Sequence, residues 1–329
     1  MSRLAGILLV LALTGCAGTG PVLSPHLPAD SPGTAVELRD TPFFAQTDYQ
    51  CGPAALAMLL EAAGSRVTPT DLVPAVYLPA RQGSLQLELI AATRRHGRLP
   101  YVIEPLISVL LEELRAGRPV LLLQNLGLRS HPVWHYAVAV GYRPDADEII
   151  LRSGTTRRKL VDASRFMRTW ENAGAWGLLV MRPGELPARV DPGAYIRAAA
   201  DLESVGQIRA AYQTYAAATA HWPDNATAWF GLGNTRYHLG ELEVAEHAYR
   251  QALRADPGYL AAHNNLAMLL AERGCYPAAL DALEHALEVS QPGDALHGTL
   301  LETRREVIQQ MAGNGTAAGT ACTPMPSDN

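Results

Sequence analysis

The feature that most constrains this chain is a repetition in its second half with a period of 34 residues. At that spacing Tyr195, Trp229 and His263 share a column, and Gly206, Gly240 and Gly274 share a second. Ala211, Ala245 and Ala279 form a third, Ala218, Ala252 and Ala286 a fourth, and Tyr215, Tyr249 and Leu283 a fifth. Small alanines let two antiparallel helices approach closely, and the glycine makes the turn between them. Pro223 and Pro257 end the first two units, and Pro292 ends the third one residue late. A unit of this kind cannot bury its apolar face alone, so the pattern predicts stacked helix pairs rather than a closed bundle.

The middle unit, Trp229-x-x-Leu232-Gly233 with Gly240, Ala245, Tyr249, Ala252 and Pro257, resembles the tetratricopeptide repeat. Three repeats are expected, at 191–223, 224–257 and 258–292, forming an all-α superhelix. A capping helix is expected at 293–312, with Leu296, Leu300 and Val307 inward and Glu302, Arg304 and Arg305 outward. Residues 313–329, rich in Gly, Ala, Thr, Ser and Pro, read as a disordered tail. The resemblance implies a protein partner in a concave groove, where Asn234, Tyr237 and Asn265 are the expected contacts. Cys275 reads as a small buried side chain, with a bond to Cys322 as the alternative in an oxidising compartment.

The other end of the chain is an address. Arg3 supplies a positive start, and Leu4 to Leu13 is an apolar run too short to remain as a bilayer-spanning helix. It ends in Leu13-Thr14-Gly15-Cys16, which resembles the bacterial lipobox, so residues 1–15 are expected to be a signal peptide and Cys16 a lipidated N-terminus. Ala17 follows where an Asp favours inner-membrane retention in Gram-negative lipoproteins. The expectation is therefore a lipid-anchored protein of the cell envelope, at the outer membrane and facing the periplasm. Residues 16–35, rich in Gly, Pro, Ser and Thr, read as a flexible tether.

Between these lies a module at 36–183. Cys51-Gly52-Pro53-Ala54-Ala55-Leu56-Ala57-Met58-Leu59-Leu60 reads as a strong helix ending at Gly64, with a proline tolerated in its first turn. Cys51 then stands at a helix N-terminus, where the partial positive charge favours thiolate. Helices are expected at Leu85–His96 and Ile107–Ala116. Strands are expected at Pro119–Gln124, His135–Tyr142, Glu148–Ser153 and Trp176–Met181. Helices first and an antiparallel sheet after them indicate an α+β domain. The small face of the His135 strand, Ala137, Ala139 and Gly141, is expected to receive the cysteine helix and so bring Cys51 to His135. The run Arg157, Arg158, Lys159 reads as a solvated turn.

Gln46-x4-Cys51-Gly52-Pro53-Ala54-Ala55-Leu56 together with His135-Tyr136-Ala137-Val138-Ala139-Val140-Gly141-Tyr142 resembles the bacteriocin-leader, or double-glycine, peptidases. More specifically, it is similar to their free-standing branch without an attached transporter. The likeness covers residues 40 to 181 and implies a papain-like cysteine peptidase domain. It makes Cys51 the nucleophile, His135 the general base and Gln46 an oxyanion donor beside the Cys51 N–H. The sequence departs from the family where an Asp-Pro orients the histidine: Arg152-Ser153-Gly154-Thr155 stands there. Ser153, Thr155 and Asn125 are the candidates for that role. His131 is expected in a loop over the site and His96 at a helix C-terminus.

Composition excludes several classes. A net charge of −5 without a clustered basic surface argues against nucleic acid. The four cysteines form no C-x-x-C pair and no H-E-x-x-H occurs, so no metal or cofactor is expected. The resulting reading is an envelope cysteine peptidase acting on a peptide or protein substrate recruited by its repeats. Two other readings stand beside it. One is a catalytically degenerate scaffold working through the repeats. The other is a cell-wall peptide hydrolase.

Overall fold

The computed structural model describes residues 21–27, 33–46 and 49–314. The first domain runs β1 (Val36–Glu37), α1 (Cys51–Ala62), α2 (Pro69–Val76), α3 (Gln86–Arg95), β2 (Leu99–Val102), α4 (Ile107–Arg115), β3 (Val120–Asn125), β4 (Trp134–Arg143), β5 (Glu148–Ser153), β6 (Thr156–Asp162), α5 (Ala163–Glu171) and β7 (Gly177–Met181). Its strands form one antiparallel sheet in the order β2-β7-β3-β4-β5-β6, with β1 added to the end of β4. Gly141 is needed at that addition, because a Cβ there would stand 2.1 Å from the Val36 carbonyl oxygen.

The helix α1 is apolar on every side, and Gly52 to Leu60 are all buried. It is enclosed between one sheet face, carrying Leu121, Leu123, Tyr136, Val138 and Val140, and the helices α2 and α3. This corrects the expected packing. The small-residue side of β4, Ala137 and Ala139, faces the opposite layer with α4. Side-chain size was a poor guide, since a helix apolar all round can be buried against either face.

Three further expectations change. The basic run lies on the exposed edge strand β6, not in a turn, and Arg158 pairs with Glu37 at 2.8 Å. Charges on an edge strand discourage pairing with another chain. The strand β2 and the helices α2 and α5 lie in stretches where no element was expected. The tether is docked in part: Ser24–His26 form a 3₁₀ turn, Leu23 is fully buried, and the Val22 and Leu23 N–H groups donate to the Asp147 carboxylate at 3.0 and 2.9 Å. Cys16 and Cys322 lie outside the described residues.

The second domain is a stack of α6 (Pro192–Ser204), α7 (Ile208–His221), α8 (Ala226–His238), α9 (Leu242–Ala255), α10 (Leu260–Glu272), α11 (Tyr276–Val289) and α12 (His297–Asn314). Gly206, Gly240 and Gly274 turn between helices at φ of +76°, +78° and +77°, a region that favours glycine. Gly231 and Gly233 are needed for contact: a Cβ on them would enter the Tyr215 and Tyr249 rings. Leu300 and Val307 of α12 are buried as expected of a cap. Cys275 is held in a disulfide instead of packing as a free thiol.

The two domains share a core. Tyr101 of β2, α4 and β3 belong to the same apolar cluster as Tyr195, Ile196, Leu202 and Tyr215. The Asp191 N–H donates to the Tyr101 hydroxyl at 2.9 Å, the Ala188 N–H to the buried Glu113 at 2.7 Å, and Arg94 pairs with Asp201. The repeats are therefore seated on the sheet domain through a continuous apolar interface.

Candidate active site

The first turn of α1, the start of β4 and the β5–β6 hairpin converge on one cleft of about 880 Å³. Cys51 opens α1 and lines this cleft with His135, Tyr136, Gln46, Gly154 and Thr155. The thiol lies within reach of the backbone N–H groups of Tyr136, Gly52 and Cys51, which puts it beside the His135–Tyr136 peptide. Ser84 closes tightly over Gly52, where a Cβ would stand 2.3 Å from the serine hydroxyl, so the residue after the cysteine has no room for a side chain.

The hairpin explains the orienter. Ser153 pairs with Thr156 across the two-residue turn Gly154-Thr155, with Gly154 at φ +60°. This delivers the Ser153 hydroxyl to Nε2 of His135 at 2.9 Å. Of the three candidates, Ser153 therefore holds the imidazole. Thr155 only lines the cleft. Asn125 braces the 126–133 loop, accepting from the Gly127 and Val133 N–H groups at 3.0 Å each. His131 is exposed and pairs with Ser130, away from the cleft lining.

Gln46 is bolted to the same hairpin. Its backbone N–H donates to the Gly154 carbonyl and its Oε1 accepts from the Gly154 N–H, both at 3.0 Å. Its amide Nε2 donates to the Tyr136 carbonyl at 3.3 Å. Gln46 lines the cleft, and its second amide hydrogen has no partner among the described residues.

Residues 38–177 match the Peptidase_C39 like family, and residues 196–259 and 233–295 match the tetratricopeptide repeat. The chain joins a C39-like peptidase domain to tetratricopeptide repeats. Comparison with curated proteins gave no match. Among solved structures, the chain is similar to a protein described as a C39-like peptidase from Bacillus anthracis (18% identity, 45% of this chain and 98% of that one, TM-score 0.38). It is also similar to the peptidase domain of Streptococcus ComA (19%, 43% and 98%, 0.37). Over the repeats it is similar to the translocator chaperone SycD of Yersinia enterocolitica (16%, 38% and 89%, 0.36). None of these structural likenesses is close enough to transfer an activity.

The electrostatics of the C39-like cleft differ from the expected thiolate. Burial pushes the Cys51 thiol above its ordinary value, and the nearby N–H groups pull the other way without prevailing. Burial first, and the Lys159 charge second, lower His135 from 6.5 to about 4. The resting pair is thus thiol and neutral imidazole. Nothing on the ring offsets that burial: a serine hydroxyl orients it but cannot neutralise imidazolium as a carboxylate would. The cleft rim carries Tyr49, Val133 and Trp134, all more than half exposed, which the sequence reading passed over. Trp134 stands directly before His135, and that adjacency was the available signal.

In the repeats, Asn234, Tyr237 and Asn265 do meet, in a cavity of about 220 Å³. Asn234 Oδ1 accepts from the Tyr249 hydroxyl and from Asn265 Nδ2, each at 3.0 Å. Glu203, His238 and Met268 complete the lining. Among the described residues no cluster capable of holding a metal ion occurs, and no helix is long and apolar enough to cross a membrane.

Proposed function

We propose that the protein is a cysteine peptidase of the bacterial envelope, anchored by a lipid on Cys16, that cleaves peptide bonds in a polypeptide recruited by its repeats. The observation that carries the reading is the placement of Cys51 beside the His135–Tyr136 peptide, with Ser153 on the imidazole. For His135 to act as base, its Nε2–H donates to Ser153 Oγ, which leaves Nδ1 as the acceptor. Nδ1 takes the thiol proton as Sγ attacks the scissile carbonyl carbon. The Cys51 N–H and the remaining Gln46 amide hydrogen hold the oxyanion. On collapse the imidazolium returns the proton to the leaving amine, and water then hydrolyses the thioester by the same relay. Because the resting pair is neutral, the charges form only during attack.

The docked segment orients the anchored molecule. Four residues separate Cys16 from Pro21, so the lipid lies within roughly 17 Å of the start of the docked segment. That turn sits at the Asp147 end of β4 and β5, and the cleft lies at the Trp134 end, roughly 30 Å along the strand. The cleft would then open away from the bilayer.

The test is hydrolysis of a pool of unrelated peptides by purified protein. Cys51→Ala is expected to abolish cleavage, and cleavage that survives would end the assignment. The scaffold reading draws on the absence of a carboxylate at His135. It would be favoured by a wild type that is inactive on every peptide with Cys51 inert to iodoacetamide. For the anchor, palmitate should label the wild type and not Cys16→Ala.

A further inference from the structure

The repeat cavity has a chemical bias that residue type alone did not reveal. Glu203, at the C-terminal end of α6, lines it together with Asn234, Tyr237, His238, Tyr249 and Met268. Its carboxylate accepts from the Tyr215 hydroxyl at 3.2 Å, has Asn234 and His238 beside it, and has no arginine or lysine partner among the described residues. Glu272, exposed beside the lining, accepts from the Tyr237 hydroxyl at 2.8 Å and likewise has no arginine or lysine partner among the described residues. The neighbouring arginines are committed elsewhere: Arg236 to Glu241 and the Tyr212 ring, Arg273 to Glu243 and Glu246. Burial raises the Glu203 carboxyl, and the Tyr215 hydrogen bond, the His238 ring and Asn234 beside it offset this only in part.

The field around the cavity has the same sign. Between residues 191 and 314, fifteen aspartates and glutamates stand against eight arginines and no lysine, a net −7. Between 36 and 190 the balance is eighteen basic against fifteen acidic, a net +3. A free carboxy-terminus or an acidic peptide would meet Glu203 and Glu272 head-on. A cation would be drawn in by the whole domain and would find the carboxylate, the phenol oxygens and the Asn234–Asn265 amides at the end of its path. Met268, half exposed on the rim, offers an apolar surface for an aliphatic stem.

We propose that this cavity seats a lysine or arginine side chain of a basic polypeptide segment, with Glu203 as its counter-ion and Glu272 at the entrance. The inference rests on the reading that the repeats recruit a polypeptide, and it names the chemistry of that partner. The experiment is fluorescence anisotropy with the intact chain in mild detergent. The labelled peptides are identical except that their charged positions are all lysine, all glutamine or all glutamate. The lysine peptide is expected to bind about tenfold more tightly than the glutamine peptide, the weight of one partly buried ion pair, and to weaken with salt. The glutamate peptide is expected to bind least. Glu203→Gln should erase the lysine preference and Glu272→Gln should reduce it. Because Glu272 is exposed, its variant keeps the test informative if Glu203→Gln fails to fold. Equal binding of the lysine and glutamine peptides, or a preference that survives both variants, overturns the cation seat and leaves recruitment standing. No binding by any peptide overturns recruitment and the seat together.

Discussion

The cleft of the C39-like domain and the groove of the repeats treat charge in opposite ways. In the cleft, two ionisable groups line one cavity and both rest neutral, because burial works on them and no carboxylate compensates. In the groove, Glu203 and Glu272 stand without an arginine or lysine partner among the described residues, in a domain of net −7. On the proposed reading, ionisation in the cleft waits for a substrate, whereas charge in the groove is in place beforehand to select a partner. That reading separates chemistry and selection in space, on two domains that share one apolar core.

The largest expected effect tests the cleft as a proton-transfer site. His135→Ala should lower peptide cleavage by roughly 10²–10⁴-fold, the range for loss of a general acid–base group, in steady-state assays of the purified protein. A smaller loss would mean that ionisation is supplied from elsewhere and the contrast with the groove is misplaced.

Next is acid stability. His135 is held near 4 in the folded chain against 6.5 when unfolded, so the unfolded state binds the proton more readily. The associated stability is fully present above pH 6.5 and is lost as the pH falls toward 4, by about 3 kcal/mol. Denaturant midpoints over that window should show it, and His135→Gln should flatten the curve. An unchanged slope in the variant would show that folding does not lower His135.

Alkylation of Cys51 by iodoacetamide sharpens the comparison further. With the thiol raised, the rate should climb about tenfold per pH unit through neutrality and beyond pH 8. A preformed thiolate–imidazolium pair would instead give a plateau reaching below pH 6. Ser153→Asp should restore a carboxylate to Nε2, raise His135 and lower the thiol, so that alkylation at pH 6 increases at least about tenfold. Ser153→Ala should leave alkylation nearly unchanged.

The smallest effect concerns the docked segment. Asp147→Ala removes the acceptor of two N–H groups and should cost about 1–2 kcal/mol. The readout is faster proteolysis near Leu23 with peptide cleavage unaltered. Lost cleavage would show that the anchor end and the cleft end are coupled.

Much of this was legible in the residues. The 34-residue columns dictated helix pairs because their glycines and alanines answer local needs: a left-handed turn at Gly240, a ring contact at Gly233. The alternation from His135 to Tyr142 marked a strand, and the stretch standing in place of the family's Asp-Pro put Ser153 among three candidates, from which only the structure chose. Local periodicity and turn chemistry are properties of neighbouring residues, so one sequence suffices to read them. Other features depend on what packs across the chain. Which face of β4 receives α1 could not be read from side-chain size, since α1 is apolar all round. The docking of Leu23, the shared core through Tyr101 and Tyr195, and the convergence of Glu203 with Asn234 and Asn265 join residues far apart in sequence. The thiol's protonation followed the same rule. The helix N-terminus that should have favoured thiolate is a local feature, but the burial that outweighs it comes from the whole fold, and only the tertiary structure decides how much water reaches Cys51.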